Sequence, residues 1–542
     1  MGRKKAKARP QAVDAEPTNR NPRRGMRLYQ GAKVSRLTSD WMTGSTSADA
    51  EIATSLVRLR DRARQAMRDD PYFEAAVRSL ATNVVGSGFK LQAKVPMQRR
   101  PGRLNKTLND QIEAKMRRWS RSGTCHTAGL LSFQDIQSMA IATLPHGGEL
   151  FIRMVPQSFG GGRIPLGLEV IEADQLDEKV DGAGGIRGQM DGGEWRMGVH
   201  VNEWGRPMEY AFLQKHPGDR HNSRMGEKRV LIPAEQIIHL ARRSRPSQTR
   251  GVPLFANSIE SMHQLAGFTQ AEVVGARAAS SLMGFVETDG ELASETLGQE
   301  LEGEYVTEFE PGVIKTLFPG QRIQVPNLDR PGGQFEPFTR VMLRRFAASI
   351  GVSYTSVSAD YSTSNYSSSR LERLDNQEWW RTIQQWRIRE LLEPITRAWL
   401  RAAVSVGELT LPGYDITPEI YEDAMNWVAR GWEWIQPEVE VKAAREAVRS
   451  GFKTRAEVIM SRGGDYQETI HALAEEKEEL DELRLVVDSD ASKVTGGGIS
   501  QDAATENQPS DSSSGAGFSP SAEADTSGSM GPDQTASGDG SA

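Results

Sequence analysis

The sequence predicts an α+β chain, and three observations carry that prediction. Apolar residues recur at helical spacing in several separate segments, at Tyr72, Ala76, Val77, Leu80 and Val84 and again over Phe133–Leu144. Between Gly192 and Leu240, by contrast, short alternating runs are punctuated by Gly, Pro and Asn-Glu-Trp-Gly, which is the pattern of strands. From Pro253 onward helices dominate, so helical and β-rich stretches are segregated rather than alternating as they would in a parallel sheet.

Asp70-Pro71 places a capping residue before a proline suited to the first helical turn, and Gly86-Ser87-Gly88 ends that helix before a strand at Phe89–Ala93. A second helix is expected from Asn105 to Trp119. A third, Phe133–Leu144, is closed by Pro145 and Gly147-Gly148. Glu149–Val155 and Leu166–Ile171 read as strands. A helix of nearly thirty residues spans Pro253–Leu282, and its alanines and glycines permit close approach of a neighbour. About fifty Gly-, Glu- and Pro-rich residues follow, with strand-like pieces at Gly312–Phe318 and Arg322–Val325. A short helix, Phe338–Ile350, stops at Gly351, and the serine-rich segment Val352–Ser369 reads as loop. The long helix that begins near Ser367 should kink at Pro394, which removes one hydrogen bond and crowds the carbonyl four residues back. Seven of the eleven tryptophans lie between Trp379 and Trp434, which marks core. Glu468–Leu485 reads as a solvated terminal helix.

Charge is unevenly placed. The chain of 542 residues has a net charge of -6, but residues 1–36 carry eleven Lys/Arg against Asp14 and Glu16, or +9. Residues 488–542 carry nine acidic residues against Lys493, or -8, leaving -7 for the body. With 22 Ser or Gly among its 55 residues and Phe518 as its only aromatic, this tail has little to bury and should be disordered. A mildly acidic body is not the composition of a tight nucleic-acid binder. A single cysteine, Cys125, excludes an intramolecular disulfide framework, and neither a membrane span nor a secretory signal is expected, so the reading is of a soluble intracellular chain.

No Gly-rich phosphate loop ending in Lys-Ser/Thr occurs, since Gly451-Phe452-Lys453-Thr454 lacks the upstream glycine. Cys125-His126 with His146 is a scattered grouping rather than a metal-ligand pattern, and Ser367-Ser368-Ser369 fits no nucleophile elbow. The sequence therefore predicts no catalytic residue, metal or cofactor, and no enzyme.

Asp69-Asp70-Pro71-Tyr72, Val84-Val85-Gly86-Ser87-Gly88-Phe89, Gly147-Gly148-Glu149 and Gly312–Leu317 before Pro319-Gly320 together resemble the lambda-type portal proteins of tailed bacteriophages. The resemblance is strongest at Phe346–Tyr354, Ala359-Asp360-Tyr361-Ser362 and Asn365-Tyr366-Ser367-Ser368-Ser369-Arg370. It continues through Trp432–Pro437 and Ala456-Glu457, and covers roughly residues 20 to 485. It implies a portal fold with a mixed wing, helical stem, small β-rich clip and helical crown, in a ring of about twelve copies at one capsid vertex. Double-stranded DNA would pass through the ring during packaging and ejection. Terminase large subunit and then a head–tail connector or adaptor would dock on it, and major capsid and scaffolding or protease proteins would surround it. Assembly would occur in the host cytoplasm, without a membrane.

Residues 1–36, a flexible basic arm, and 488–542, the disordered acidic tail, are read from composition and carry no family pattern. On the resemblance residues 37–250 are the wing, 253–282 a stem helix, 283–336 the clip, 337–350 a second stem helix, 351–365 the tunnel loop, 366–414 the long kinked helix and 415–487 the crown. Ser353, Thr355, Ser356, Ser358, Tyr361, Ser362 and Asn365 are the candidate DNA-facing residues. Arg340, Arg344 and Arg345 are candidates for phosphate or inter-subunit contacts. An uncharged loop in an acidic body suits sliding, because each Lys/Arg–phosphate contact adds salt-dependent affinity. The clip has too few apolar residues for a core of its own and should add strand edges to neighbours and to the terminase. The competing readings are another virion structural or scaffolding protein, or a nucleic-acid-processing enzyme of a packaging complex, which would depend on nucleotide or divalent metal.

Overall fold

The computed structural model describes residues 36, 39–41, 43–97, 104–182, 193–219, 228–280, 285–288, 321–324, 333–362, 365–433, 436–485 and 487. The expectations for the basic arm, the acidic tail and the strand at Gly312–Phe318 lie outside these. The chain forms two compact units that meet in sequence at Asp465 and Tyr466.

The first unit opens with α1 (Ala48–Ala53), α2 (Leu56–Asp69) and α3 (Pro71–Val84). The Asp70 carboxylate accepts from the Tyr72 amide at 2.9 Å with Pro71 in the first turn, as the sequence predicts. Then come β1 (Lys90–Ala93), α4 (Lys106–Trp119, capped by Asn105), the single turn α5 (Ser122–Cys125) and α6 (Phe133–Gly147). A reciprocal capping box between Ser132 and Asp135 starts α6. That helix runs past the expected stop at Leu144, because Pro145 in a last turn forfeits only one backbone bond. Gly148 at φ +80° ends it.

Strand β2 (Glu149–Val155) is central in a three-stranded antiparallel sheet between β3 (Gly167–Ile171) and β8 (Ile237–Ala241). A four-stranded meander, β4 (Glu194–Arg196), β5 (Val199–Val201), β6 (Pro207–Leu213) and β7 (Arg229–Pro233), packs on it through Phe151, Val199, Tyr210 and Phe212. A 3₁₀ turn at Leu254–Asn257 leads into α7 (Ile259–Ser280). Of the expected clip, β9 (Phe285–Thr288) and β10 (Gln321–Gln324) are described and pair antiparallel.

Helix α8 (Phe335–Ile350) begins earlier than expected because Pro337 is tolerated in a first turn, and Gly351 in the left-handed region caps it. The serine-rich segment, expected as loop, holds a short helix α9 (Tyr354–Ser358), and α10 (Tyr366–Arg387) follows. The kink expected at Pro394 takes the form of a π-helical turn, Ile388–Leu392, before α11 (Glu393–Ser405). Wider i→i+5 spacing absorbs the backbone that proline cannot bond.

Residues 415–432 do not begin a separate helical region as expected. After α12 (Glu419–Glu422), β11 (Met425–Val428) pairs antiparallel with β1, and Tyr421, Met425 and Trp427 join the core of α4, α6 and α11. Apolar burial explains this: Trp427 is 6% exposed, and its indole N–H donates to Thr396 Oγ1 at 3.0 Å. The tryptophans expected in the core at Trp380, Trp399, Trp427 and Trp432 are buried. Helices α13 (Pro437–Arg449) and α14 (Arg455–Ser461) complete the unit and bury no residue. The second unit contributes α15 (Tyr466–Glu482), which also buries none. Among the described residues no helix is long and apolar enough to cross a membrane.

Candidate functional site

The candidate residues lie on two consecutive pieces of chain, α8 and the segment 351–365. The apolar face of α8, Leu343, Phe346, Ala347 and Ile350, is buried against α3, and the Phe346 ring lies 4.7 Å from that of Phe73. Burial of that face leaves Arg344 and Arg345 exposed and Arg340 half-buried at its edge. Arg340 Nη2 lies 2.6 Å from the Glu336 carboxylate and 3.5 Å from that of Asp360. The Arg344 guanidinium sits 5.5 Å from the Tyr354 ring centroid, within cation–π range. Arg345 is exposed and makes no ion pair among the described residues.

The expected DNA-facing side chains divide into two groups. Ser353 caps α9, accepting from the Ser356 amide at 3.2 Å, and its hydroxyl meets Ser356 Oγ at 2.6 Å. Thr355 Oγ1 donates to Glu372 at 2.7 Å, and Ser358 Oγ donates to the Tyr354 carbonyl at 2.9 Å. These four are half-buried and spend their polarity inside the subunit, which corrects the reading of the segment as an open polar loop. Asn365 caps α10 in a reciprocal box with Ser368. Ser362 donates through amide and hydroxyl to Asp360 at 3.0 and 2.6 Å. Tyr361 remains outward, 67% exposed, and Tyr366 is 52% exposed.

Sequence reasoning missed Asp360 as the organiser. It accepts from Ser362 and from the Tyr354 hydroxyl at 2.9 Å, and it pairs with Arg340. The Ser362 hydrogen bonds first, then Tyr354 and Arg340, hold its carboxyl down to about 2. Its signal was present in the sequence, since an Asp two residues before a Ser is an Asx-turn pattern.

A second ionic cluster, also missed, fixes the β sheets. The Glu149 carboxylate is fully buried and accepts from Arg250 Nε at 2.8 Å, His239 Nε2 at 2.9 Å and the Gly251 amide at 2.7 Å. Arg250 also donates to the Met197 and Ala173 carbonyls at 2.6 and 3.3 Å, joining both sheets. Gly148 is required beside it, because a Cβ there would fall 2.6 Å from the Val252–Pro253 backbone. Burial alone would raise the Glu149 carboxyl, but Arg250 and His239 reverse that and hold it below the usual carboxylate range. Burial pushes His239 below the ordinary histidine value, against Glu149, and pushes His146 down to about 4 with help from Arg64.

All three groups have folded values below their unfolded ones, so the unfolded chain binds more protons as the solution is acidified. Stability is full near neutrality, declines below about pH 6.5 as the histidines protonate in the unfolded state, and declines further below about 4.5 through Glu149. Thermal melts from about pH 8 to about pH 4 should show a falling midpoint, and a flat profile would contradict this assignment.

Cys125 is buried, and its thiol is pushed up to about 12 by desolvation. Glu172, Asp174 and His216 are the one metal-ligand grouping among the described residues, within 4.8 Å of one another. Arg64 already pairs with both carboxylates there, at 3.4 Å from Glu172.

Compared with known proteins, the chain matches the family model described as phage portal protein, lambda family, over residues 34–387. It belongs to the lambda family of phage portal proteins. This portal protein is thus a structural component of the virion. It is 27% identical over 475 residues to "Probable portal protein" of Halomonas phage phiHAP-1, covering 85% of this chain and 88% of that one. With Portal protein B of Escherichia phage lambda it shares 22% identity over 465 residues, 79% of this chain and 85% of the relative. Among solved structures, a chain in the neck of an empty GTA particle aligns with 78% of the portal chain and 95% of its own length, at 12% identity and a TM-score of 0.38.

Proposed function

We propose that this portal protein assembles into a closed ring of about twelve copies at one capsid vertex and forms the passage for double-stranded DNA in packaging and ejection. The carrying observation is apolar surface that the described residues of one subunit leave open. An apolar cleft of about 740 Å³ between α7 and α8 is lined by Leu265, Phe268, Phe335, Phe338, Val341 and Met342. Phe338 is 45% exposed and Val341 61%. Soluble proteins rarely leave such surface without a partner, and the symmetric solution is the next copy of the same chain. Helix α13, with Val439 and Val441 exposed, offers a further face for the same neighbour.

In this reading 37–250 is the wing, 253–282 and 337–350 are the stem, 283–336 the clip and 351–365 the tunnel segment. Residues 366–414 span the wing, and the crown is confined to about 437–487, since 415–432 pack in the wing core. Terminase large subunit and then the head–tail adaptor dock on the clip, and capsid and scaffolding or protease proteins surround the wing. No catalytic role is assigned. Within the tunnel segment Tyr361, Ser362 and Asn365 face the DNA path, while Ser353, Thr355, Ser356 and Ser358 hold α9 in shape behind them. The stem arginines divide likewise. Arg340 is committed to Glu336 and Asp360, and Arg344 and Arg345 are available to a phosphate or a neighbour.

Native mass spectrometry of the assembled protein should give a single closed stoichiometry near twelve. A monomer at all concentrations, or an open ladder of sizes, would overturn the reading. For the arginines, Arg345→Glu should leave that stoichiometry unchanged and slow DNA packaging. Loss of the closed stoichiometry in the variant would instead assign Arg345 to subunit contacts.

A further inference from the structure

Parts of two of the motifs that carry the family resemblance, Ser87-Gly88 and Trp432-Glu433, lie far apart in sequence and line one polar cleft of about 460 Å³. Lys90, Arg373, Arg430 and Arg462 also line it, against one lining carboxylate, Glu433. Lys90 and Arg373 are exposed at its rim.

Glycine permits this assembly of cations. A Cβ on Gly431 would fall 2.2 Å from Cα of Arg462, and one on Gly463, at φ +78°, would fall 2.7 Å from the Gly431 nitrogen. The two backbones therefore cross in contact, which sets Arg430 and Arg462 beside each other. Gly86, at φ +56°, lies under the Arg430 side chain, and a Cβ there would meet its Cδ at 2.4 Å. Arg430 is held in that position by a hydrogen bond to the Thr82 carbonyl.

A further cation lies behind the same stretch of chain. Phe89, between Gly88 and Lys90, carries the Arg387 guanidinium 4.0 Å above its ring centroid. Arg387 is fully buried and donates to Gln137, and among the described residues its Nε and Nη1 have no partner and no carboxylate pairs with it. Burial lowers its pKa to about 9, so it stays cationic at neutral pH. Arg387 does not line the cleft, but a buried positive charge without a counter-ion adds to the positive potential around Phe89, whose chain neighbours Gly88 and Lys90 do line it.

We propose that the cleft is a phosphate-binding site, taking the oxyanion of a phosphodiester backbone or of a free phosphate. Three arginines and a lysine around one cleft suit a tetrahedral group with several acceptor oxygens better than a carboxylate with two. Duplex DNA as the source rests on the portal reading; the chemistry of the cleft does not.

The test uses the full chain and the double variant Lys90→Gln/Arg373→Gln, which changes only rim side chains. Anisotropy of a short labelled DNA duplex is read across a potassium chloride series, with inorganic pyrophosphate as competitor and by calorimetry, and with polyglutamate as control. Loss of the two cations should weaken duplex binding about tenfold and flatten the log–log salt slope by about 1.8, at ~0.9 per phosphate contact, while pyrophosphate binding is lost. Lost pyrophosphate binding with unchanged duplex binding would assign the site to free phosphate. Unchanged binding of both, or tighter binding of polyglutamate than of either phosphate probe, would overturn the proposal. Native mass spectrometry of the same variant reads ring assembly separately, so failure of the portal reading is distinguishable from failure of the phosphate site.

Discussion

Replacing Arg250 with methionine should destabilise the subunit by about 3–5 kcal/mol, the range for removing one partner from a buried ion pair. The Glu149 carboxylate, fully buried, would keep only His239 and the Gly251 amide, and the Met197 and Ala173 carbonyls would lose their shared donor. Denaturant unfolding of wild type and Arg250→Met compares the midpoints directly. Adding Glu149→Leu should recover part of the loss, because the uncompensated charge disappears with its partner. Equal stability of wild type and single variant would show that the pair does not hold the two sheets together.

The second large effect concerns assembly. Val341→Asp together with Phe338→Asp places two charges in the apolar cleft between α7 and α8 without touching the buried face of α8. Loss of an aromatic anchor at an interface centre costs about 2 kcal/mol or more per contact, and burying an unpaired carboxylate there adds to it. A ring repeats the defect at every subunit, so the variant should remain a folded monomer, with a melting midpoint below that of the assembled protein because the ring contacts and the Phe268–Phe338 contact, 5.2 Å between ring centroids, are lost. Rings at wild-type yield would assign the cleft to some other partner.

Local signals were legible in sequence wherever one short segment contained the whole cause. Asp70-Pro71, the Gly86–Gly88 stop, the strand at Glu149 and the Gly351 cap each act over a few residues, and each stands where expected. Elements decided by distant partners were not legible. Strand β11 exists because Lys90–Ala93 offers it an edge more than three hundred residues away, and Trp427 is buried by Thr396 and the α11 face. The serines of 353–358 show the same limit. Polarity alone suggested an exposed loop, but the Ser353 cap and the Thr355–Glu372 hydrogen bond turn that polarity inward. Charge composition hid the buried ions as well, since nothing in a mildly acidic body marks Glu149, Arg250 and Arg387 as its most enclosed charges.

Copies of this chain are proposed to enclose a DNA path lined by the segment after α8. Averaged electron-microscopy images of the assembled protein test it most directly. They should show a closed ring of about twelve-fold symmetry, with a central hole as wide as a duplex and with Tyr361 and Ser362 at its narrowest point. An open or filamentous assembly, or a ring whose hole is lined by other segments while Tyr361 sits between subunits, would contradict it.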